Sequence, residues 1–281
     1  GTTWRRSICP ILVDTSGRHQ QEASLLEEIL SRSSGKPCLV YKCVTVVQFD
    51  KWVDTARNEH GHTAINLVGR PSSNATYQGP TITEAMEICA RRKKMPFGCV
   101  CIAERHTLES AQARGKDYPT EHQNMVRKQK AGAQLFISQA VCDPEPTIRL
   151  LKDYAALCRL KGLTPQKVVL TFAPVSRKKT MDFIKWLGVR VPQETQDKIL
   201  NADHPVGASV EILCQTLERI LAETVGVGVP LGISCESVSI YKAEIDGVHD
   251  ILLDACGTPW KVHDSTVHTV AFAKVMYYEG I

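Results

Sequence analysis

The chain has 281 residues, 43% of them hydrophobic and 23% charged, with a formal charge of +4. That is the make-up of an ordinary globular protein with material for one large core, and its size suits one α/β barrel better than two separate domains. No apolar run approaches the roughly 18 residues that a membrane-spanning helix needs.

The mild charge also argues against a nucleic-acid partner. The densest basic run, Arg91-Arg92-Lys93-Lys94, ends an amphipathic segment, where cations suit a helix C-terminus, and no aromatic stacking platform accompanies it. Of the eleven cysteines, Cys9, Cys38, Cys43, Cys99 and Cys101 fall within apolar runs, where a thiol behaves as a small hydrophobe. Cys99 and Cys101 share a strand face, but no partner pair at zinc spacing follows them and there is no CxxC. The reading is therefore free thiols in a reducing compartment, with neither a metal site nor a disulfide framework. Residue 1 is glycine. A presequence removed ahead of it would place the protein in the mitochondrial matrix, and otherwise the cytoplasm is expected.

Seven short apolar, β-branched runs follow one another along the chain: Ile8–Val13, Cys38–Val44, Ala64–Val68, Gly98–Ile102, Ala133–Ser138, Val168–Phe172 and Pro230–Ser234. Their near-continuous hydrophobicity fits parallel strands covered on both faces. Helix-period segments separate them. Glu22–Leu30 sets Ala23, Leu26, Ile29 and Leu30 on one stripe, Thr83–Arg91 opens on a capping threonine, and Pro146–Leu160 follows the turn residues Asp143 and Pro144. Glycines 35, 61, 162 and 188 stand where helix ends need left-handed caps. Two long connections, Glu104–Glu121 and Pro192–Pro205, interrupt the alternation, the first at a strand's C-terminal end and the second after a helix. The Gly226–Pro230 turn precedes a strand and lacks a third glycine, so it reads as a helix-to-strand turn and not a dinucleotide fingerprint. Strand and helix in alternation mean βαβ units, and both an open doubly wound sheet and a closed barrel satisfy the pattern.

In a barrel the strand C-termini converge on one mouth, which would bring Glu104, His106, Gln139, Arg177 and Glu236 to a shared cavity. Each has a plainer alternative. Glu104 could pair with Arg105, His106 could be a solvated loop histidine, and Glu236 could belong to a structural ion pair as readily as serve as a buried proton donor. Gln139 is harder to dismiss, because an amide where a buried strand ends must find partners, and it both donates and accepts, as a heterocycle edge requires.

The segment Lys130-Ala131-Gly132-Ala133-Gln134-Leu135-Phe136-Ile137-Ser138-Gln139 resembles the "AGA…TQ" strand of the methylenetetrahydrofolate reductase family. The likeness continues through Asp143-Pro144-Glu145, Leu170–Val175, Phe183–Pro192 and Tyr241-Lys242-Ala243-Glu244, with the elements in the same order from about Cys38 to about Ala255. It implies a TIM-type β/α barrel over residues 1–257, a C-terminal extension over 258–281, and a folate whose pterin touches Gln139 and Phe172. It also implies His106, Lys128 and Arg177 as cofactor-binding residues. The family's flavin enzymes carry an acid after the strand that ends here in Val68-Gly69-Arg70-Pro71, and this chain has none. That resembles the flavin-independent branch, so a tightly held FAD is not expected and NAD(P)H is the remaining redox cofactor.

The family's first strand, with its catalytic glutamate, has no counterpart in Gly1–Arg6, so the barrel is expected to be incomplete, with seven strands. Glu236 and Glu104 are the local substitutes for that acid. The favoured reading is a non-catalytic or altered descendant, a binding or structural subunit of a larger assembly; the rival is an active reductase of methylenetetrahydrofolate. The edge left beside Pro230–Ser234 calls for a cover: the tail folding back through Thr266–Val270, or, as favoured, a partner protein or neighbouring subunit with Met276–Tyr278 docked against it. The cofactor expectation is checked directly. Purified protein should show no flavin absorbance near about 450 nm after gel filtration, and a band that survives the column would overturn it.

Overall fold

The computed structural model describes residues 11–14, 39–44, 48–69, 78–91, 95–114, 119–257 and 273–275. Six parallel strands form the body of one sheet: β2 (Leu39–Cys43), β3 (Ala64–Val68), β4 (Phe97–Cys101), β5 (Leu135–Ala140), β6 (Lys167–Phe172) and β7 (Leu231–Ser237). They pair in chain order, β2 with β3 and so on to β7. The short strands β1 (Ile11–Asp14) and β8 (Ala273–Val275) continue the ladder, parallel, at its two margins. The helices between are α1 (Phe49–Asn58), α2 (Ile82–Arg91), α3 (Leu108–Arg114), α4 (Glu121–Lys130), α5 (Pro144–Leu160), α6 (Lys178–Trp186), α7 (Gln193–Leu200), α8 (Pro205–Thr224) and α9 (Lys242–Gly257).

The sheet is curled. In a flat sheet β2 and β6 would stand roughly 19 Å apart, at about 4.8 Å per strand. Yet Leu39 and Tyr41 of β2 and Ala64 of β3 share one buried cluster with Ile137 of β5 and Val169 of β6. Only a sheet bent towards closure brings those side chains together. The other strand face carries Ile65, Leu67, Phe97, Cys99, Phe136, Leu170, Phe172, Ile233 and Cys235 into the main core, against helix residues such as Phe49, Met86, Met125, Leu151 and Leu217. Sequential strand order and this curvature exclude the open doubly wound alternative and leave an α/β fold of incomplete-barrel type. Even Lys42 of β2 points to the helix layer, fully buried with its ammonium 4.5 Å from the ring centre of Trp52.

Several boundaries differ from those read in the sequence. The cap of α2 is Thr81, not Thr83: its backbone N–H and hydroxyl donate to Glu84, and the Glu84 N–H donates back to the hydroxyl. Helix α5 starts at Pro144, because Asp143 accepts from the Glu145 N–H as N-cap and proline suits the first turn. Both long connections hold helices. α3 lies within Glu104–Glu121, and α7 within Pro192–Pro205, where Ile199 and the buried Gln196 are its only buried residues, too few to show a period. The free edge of β7 is paired by Ala273–Val275 of the same chain, with Cys235 opposite Ala273, and not by the partner protein that was favoured. The helix expected over Glu22–Leu30, the turn Arg70-Pro71-Ser72-Ser73 and the end Met276–Tyr278 lie outside the described residues.

One buried carboxylate fastens the loops that follow β6 and β7. Glu244, on the first turn of α9, is fully buried. It accepts from the Ser176 N–H and hydroxyl, both at 2.8 Å, from the Thr180 hydroxyl at 3.1 Å, and from the Ser239 hydroxyl. Arg177 Nε lies 4.0 Å from the same carboxylate, and its guanidinium stacks 4.1 Å above the Tyr241 ring centre. A close strand contact sets a second constraint. Gly98 stands opposite Asn66 and Leu135, and a Cβ there would lie 2.7 Å from Asn66 Oδ1 and 3.0 Å from Leu135 Cγ.

Two stability predictions follow from these contacts. Glu244→Ala strands its donors and should lower unfolding free energy in urea by roughly 3–5 kcal/mol. Gly98→Ala must displace the buried Asn66 amide or the Leu135 backbone, and the same measurement should show a loss of about 1–3 kcal/mol.

Candidate functional site

Parallel strands of one sheet end on the same side, so the loops after β4, β5, β6 and β7 meet at the C-terminal mouth. After β4 the chain makes the turn Ala103–Arg105, closed by the Arg105 N–H donating to the Ile102 carbonyl at 3.2 Å. This turn is held from below by Glu121, the buried first residue of α4. Its carboxylate accepts from the Ile102 N–H at 3.2 Å and lies 3.8 Å from Lys128 Nζ and 3.9 Å from His106 Nε2. Lys128 also donates to the Val100 carbonyl at 2.8 Å. A capping box of Thr120 with Gln123 fixes the start of α4 and so the position of Glu121.

That cluster bears on the expected cofactor residues. His106 and Lys128 do come together, but around the buried Glu121 carboxylate, and the lysine's ammonium is directed into a strand carbonyl. The arrangement does not fit a phosphate group, which needs uncompensated donors. Arg177, the third expected cofactor residue, stands on the other side of the mouth, held by Glu244 and Tyr241, with its side chain 43% exposed.

Glu104 occupies the turn after β4, and its Oε1 is buried with no hydrogen-bond partner. Burial pushes its carboxyl above the ordinary range, opposed by a hydrogen bond from its own backbone N–H; the negative Asp143 adds to the rise, and Arg190 opposes it. Asp143 begins α5 and Arg190 follows α6, so Glu104 lies on the β5 side of the mouth. It is there that Gln139 sits. The β5–β6 register slips between Ile137 and Ala140, a bulge that gives Ser138 and Gln139 one residue, Leu170, as their counterpart. Ser138 uses its hydroxyl to accept from the Thr171 N–H at 2.9 Å, which anchors the bulge. The half-buried Gln139 amide accepts from the Ala140 N–H at 3.1 Å and donates to the Leu187 carbonyl at 3.4 Å. One N–H and one carbonyl lone pair of that side chain remain for another partner.

Glu236 is buried on β7, and strand alternation with Ile233 and Cys235 of the main core places it on the inner face. Tyr41 of β2 shares that interior: its hydroxyl is held well above its usual range by burial first and then by the charges of Glu236 and Cys101. Phe172, expected against the folate, instead has no exposed surface and packs in the helix-facing core, since its neighbour Thr171 takes the inner face. Among the described residues, no group of three His, Cys, Asp or Glu could hold a metal ion, and no helix is long and apolar enough to cross a membrane. The burial of Glu121 had no signature in sequence beyond the capping pattern around Thr120, whereas that of Tyr41 follows from the apolar run Cys38–Val44.

The model of the methylenetetrahydrofolate reductase family matches residues 84–229. No curated protein matches the sequence. Among solved structures, an uncharacterised protein from Clostridium thermocellum that binds two copies of 5-methyl-5,6,7,8-tetrahydrofolic acid superposes with a TM-score of 0.70 at 24% identity, covering 90% of this chain and 84% of its own. The YdjI aldolase of Escherichia coli K12 covers 95% of this chain and 75% of its own at 10% identity, with a TM-score of only 0.34. The matched stretch holds the bulged strand with Gln139, the turn with Glu104 and the Glu121 cluster, and on that match the chain belongs to the methylenetetrahydrofolate reductase family.

Proposed function

We propose that this chain binds a reduced folate at the C-terminal mouth, with Gln139 against the pterin. The observation that carries this is the bulge after Ile137, which presents a half-buried amide with one donor and one acceptor in reserve. The Clostridium thermocellum protein of like fold, which binds two methyltetrahydrofolate molecules, supports the reading. A binding role is favoured over turnover because His106 and Lys128, the expected holders of a phosphate-bearing cofactor, are engaged by Glu121.

The second reading is reduction of methylenetetrahydrofolate, in which a nicotinamide cofactor would supply the hydride. The buried Glu236 on the inner face favours it, since opening the methylene bridge needs a proton donor close to the ligand. Glu104 is the other carboxyl so placed.

Calorimetric titration with 5-methyltetrahydrofolate should give saturable binding, weakened roughly 10-fold by Gln139→Leu through the lost hydrogen bonds. Absence of any binding by the unaltered chain would overturn the proposal. Steady-state oxidation of NADH or NADPH that depends on methylenetetrahydrofolate, and is abolished by Glu236→Gln, would establish the reductase reading.

A further inference from the structure

The outer face of helix α6 is a stripe that the fold leaves exposed. Thr180, Met181, Phe183 and Ile184 are buried, which turns Lys178, Lys179, Asp182, Lys185 and Trp186 outward at the spacing of one helix face. Trp186 is 75% exposed, although its ring stacks on Phe183 with 5.9 Å between centroids. At the other end of the helix the Arg177 guanidinium lies over the Tyr241 ring, and Tyr241 and its neighbour Ile240 are 41% and 74% exposed. Scattered exposed apolar residues are ordinary. Three large ones strung along one short helix and joined by cations mark an interaction surface.

The stripe is held in place at both ends. In its first turn the Thr180 hydroxyl donates to the buried Glu244 at 3.1 Å, which ties α6 to α9. In its last turn the left-handed Gly188, φ 88°, lets the Gly188 and Val189 N–H groups donate to the Lys185 and Ile184 carbonyls. A surface fixed in this way loses little freedom when a partner docks.

Charge and size select the occupant. The stripe sets three lysines against one aspartate, and Asp182 is already paired with Lys178 at 2.6 Å, while Lys185 donates to the neutral Gln196 side chain. A second copy docked about a two-fold axis would bring these lysines against the same lysines, which electrostatics disfavours. The helix is about 13 Å long at the helical rise per residue. That is well short of the roughly 800 Å² that a globular partner covers, and it matches a short extended segment. A bilayer is the poorer match, because the apolar face of α6 is turned into the protein.

We infer that the α6 stripe, together with Tyr241 and Ile240, is a docking surface for an acidic linear segment of another protein. Carboxylates of that segment meet Lys179 and Lys185, and an apolar side chain between them packs on Trp186. The inference does not depend on the folate reading of the mouth.

The test titrates the full chain into fluorescein-labelled synthetic peptides and reads anisotropy. One peptide alternates glutamate with leucine, a second has serine in place of leucine, and a third has lysine in place of glutamate. The first should bind saturably, roughly 10-fold or more tightly than either of the others, and Trp186→Ala should weaken it by a similar factor. Added salt should weaken it further. The double variant Lys179→Glu with Lys185→Glu should abolish binding while thermal melting stays as in the unaltered chain. Should that protein melt early, Lys179→Glu alone, at a fully outward position, should weaken binding several-fold. No binding of the acidic peptide, or equal binding by the variants, overturns the inference. So does tighter binding of single-stranded RNA or of phosphatidylserine vesicles that is lost in Trp186→Ala, and so does a dimer in sedimentation that Trp186→Ala dissociates. Those outcomes would assign the stripe to nucleic acid, a membrane surface or a second copy.

Discussion

Curvature of the parallel sheet is the constraint from which the other features follow. A flat ladder of six strands would keep β2 and β7 too far apart for Tyr41 to feel the charge of Glu236. Bending brings the inner faces together, leaves room there for only a small cluster around Leu39, Ile137 and Val169, and sends the bulk of the core outward to the helices. The same bend gathers the four turns after β4 to β7 into one mouth. Glycine at position 98 belongs to this arrangement, because the bent strands press Asn66 and Leu135 against that backbone.

The turns at the mouth are anchored by buried carboxylates. Glu121 anchors the turn after β4, and Glu244 joins the loops after β6 and β7. Each is surrounded by several donors, which is how a desolvated charge becomes tolerable in a protein interior. The consequence for function is selective. Basic side chains expected to meet a phosphate are drawn to those acids, whereas the Gln139 amide and Glu104 Oε1 keep unused hydrogen-bonding capacity.

Between the strands and the site, legibility was uneven. Apolar runs located β2 to β7 to within a few residues, because strands covered on both faces need unbroken hydrophobic stretches. Helices α3 and α7 were missed, since short, polar segments bury too few side chains to imprint a period. Phe172 shows the limit for sites. One residue decides whether a strand side chain faces ligand or core, and the likeness to the family placed the strand without fixing which face each side chain of this chain meets.

What the sequence determined by itself was the alternation of strand and helix, the family likeness centred on Gln139, and the set of polar residues at strand ends. These depend on local patterning and on chemistry carried by single residues. Tertiary structure alone decided which of those residues remain available. That Lys128 lies against Glu121, that Glu104 Oε1 is buried without a hydrogen bond, and that Ala273–Val275 lies against β7 are set by atoms distant in the chain. The physical reason is that a hydrogen bond is satisfied by proximity in space, and the curl of the sheet sets that proximity.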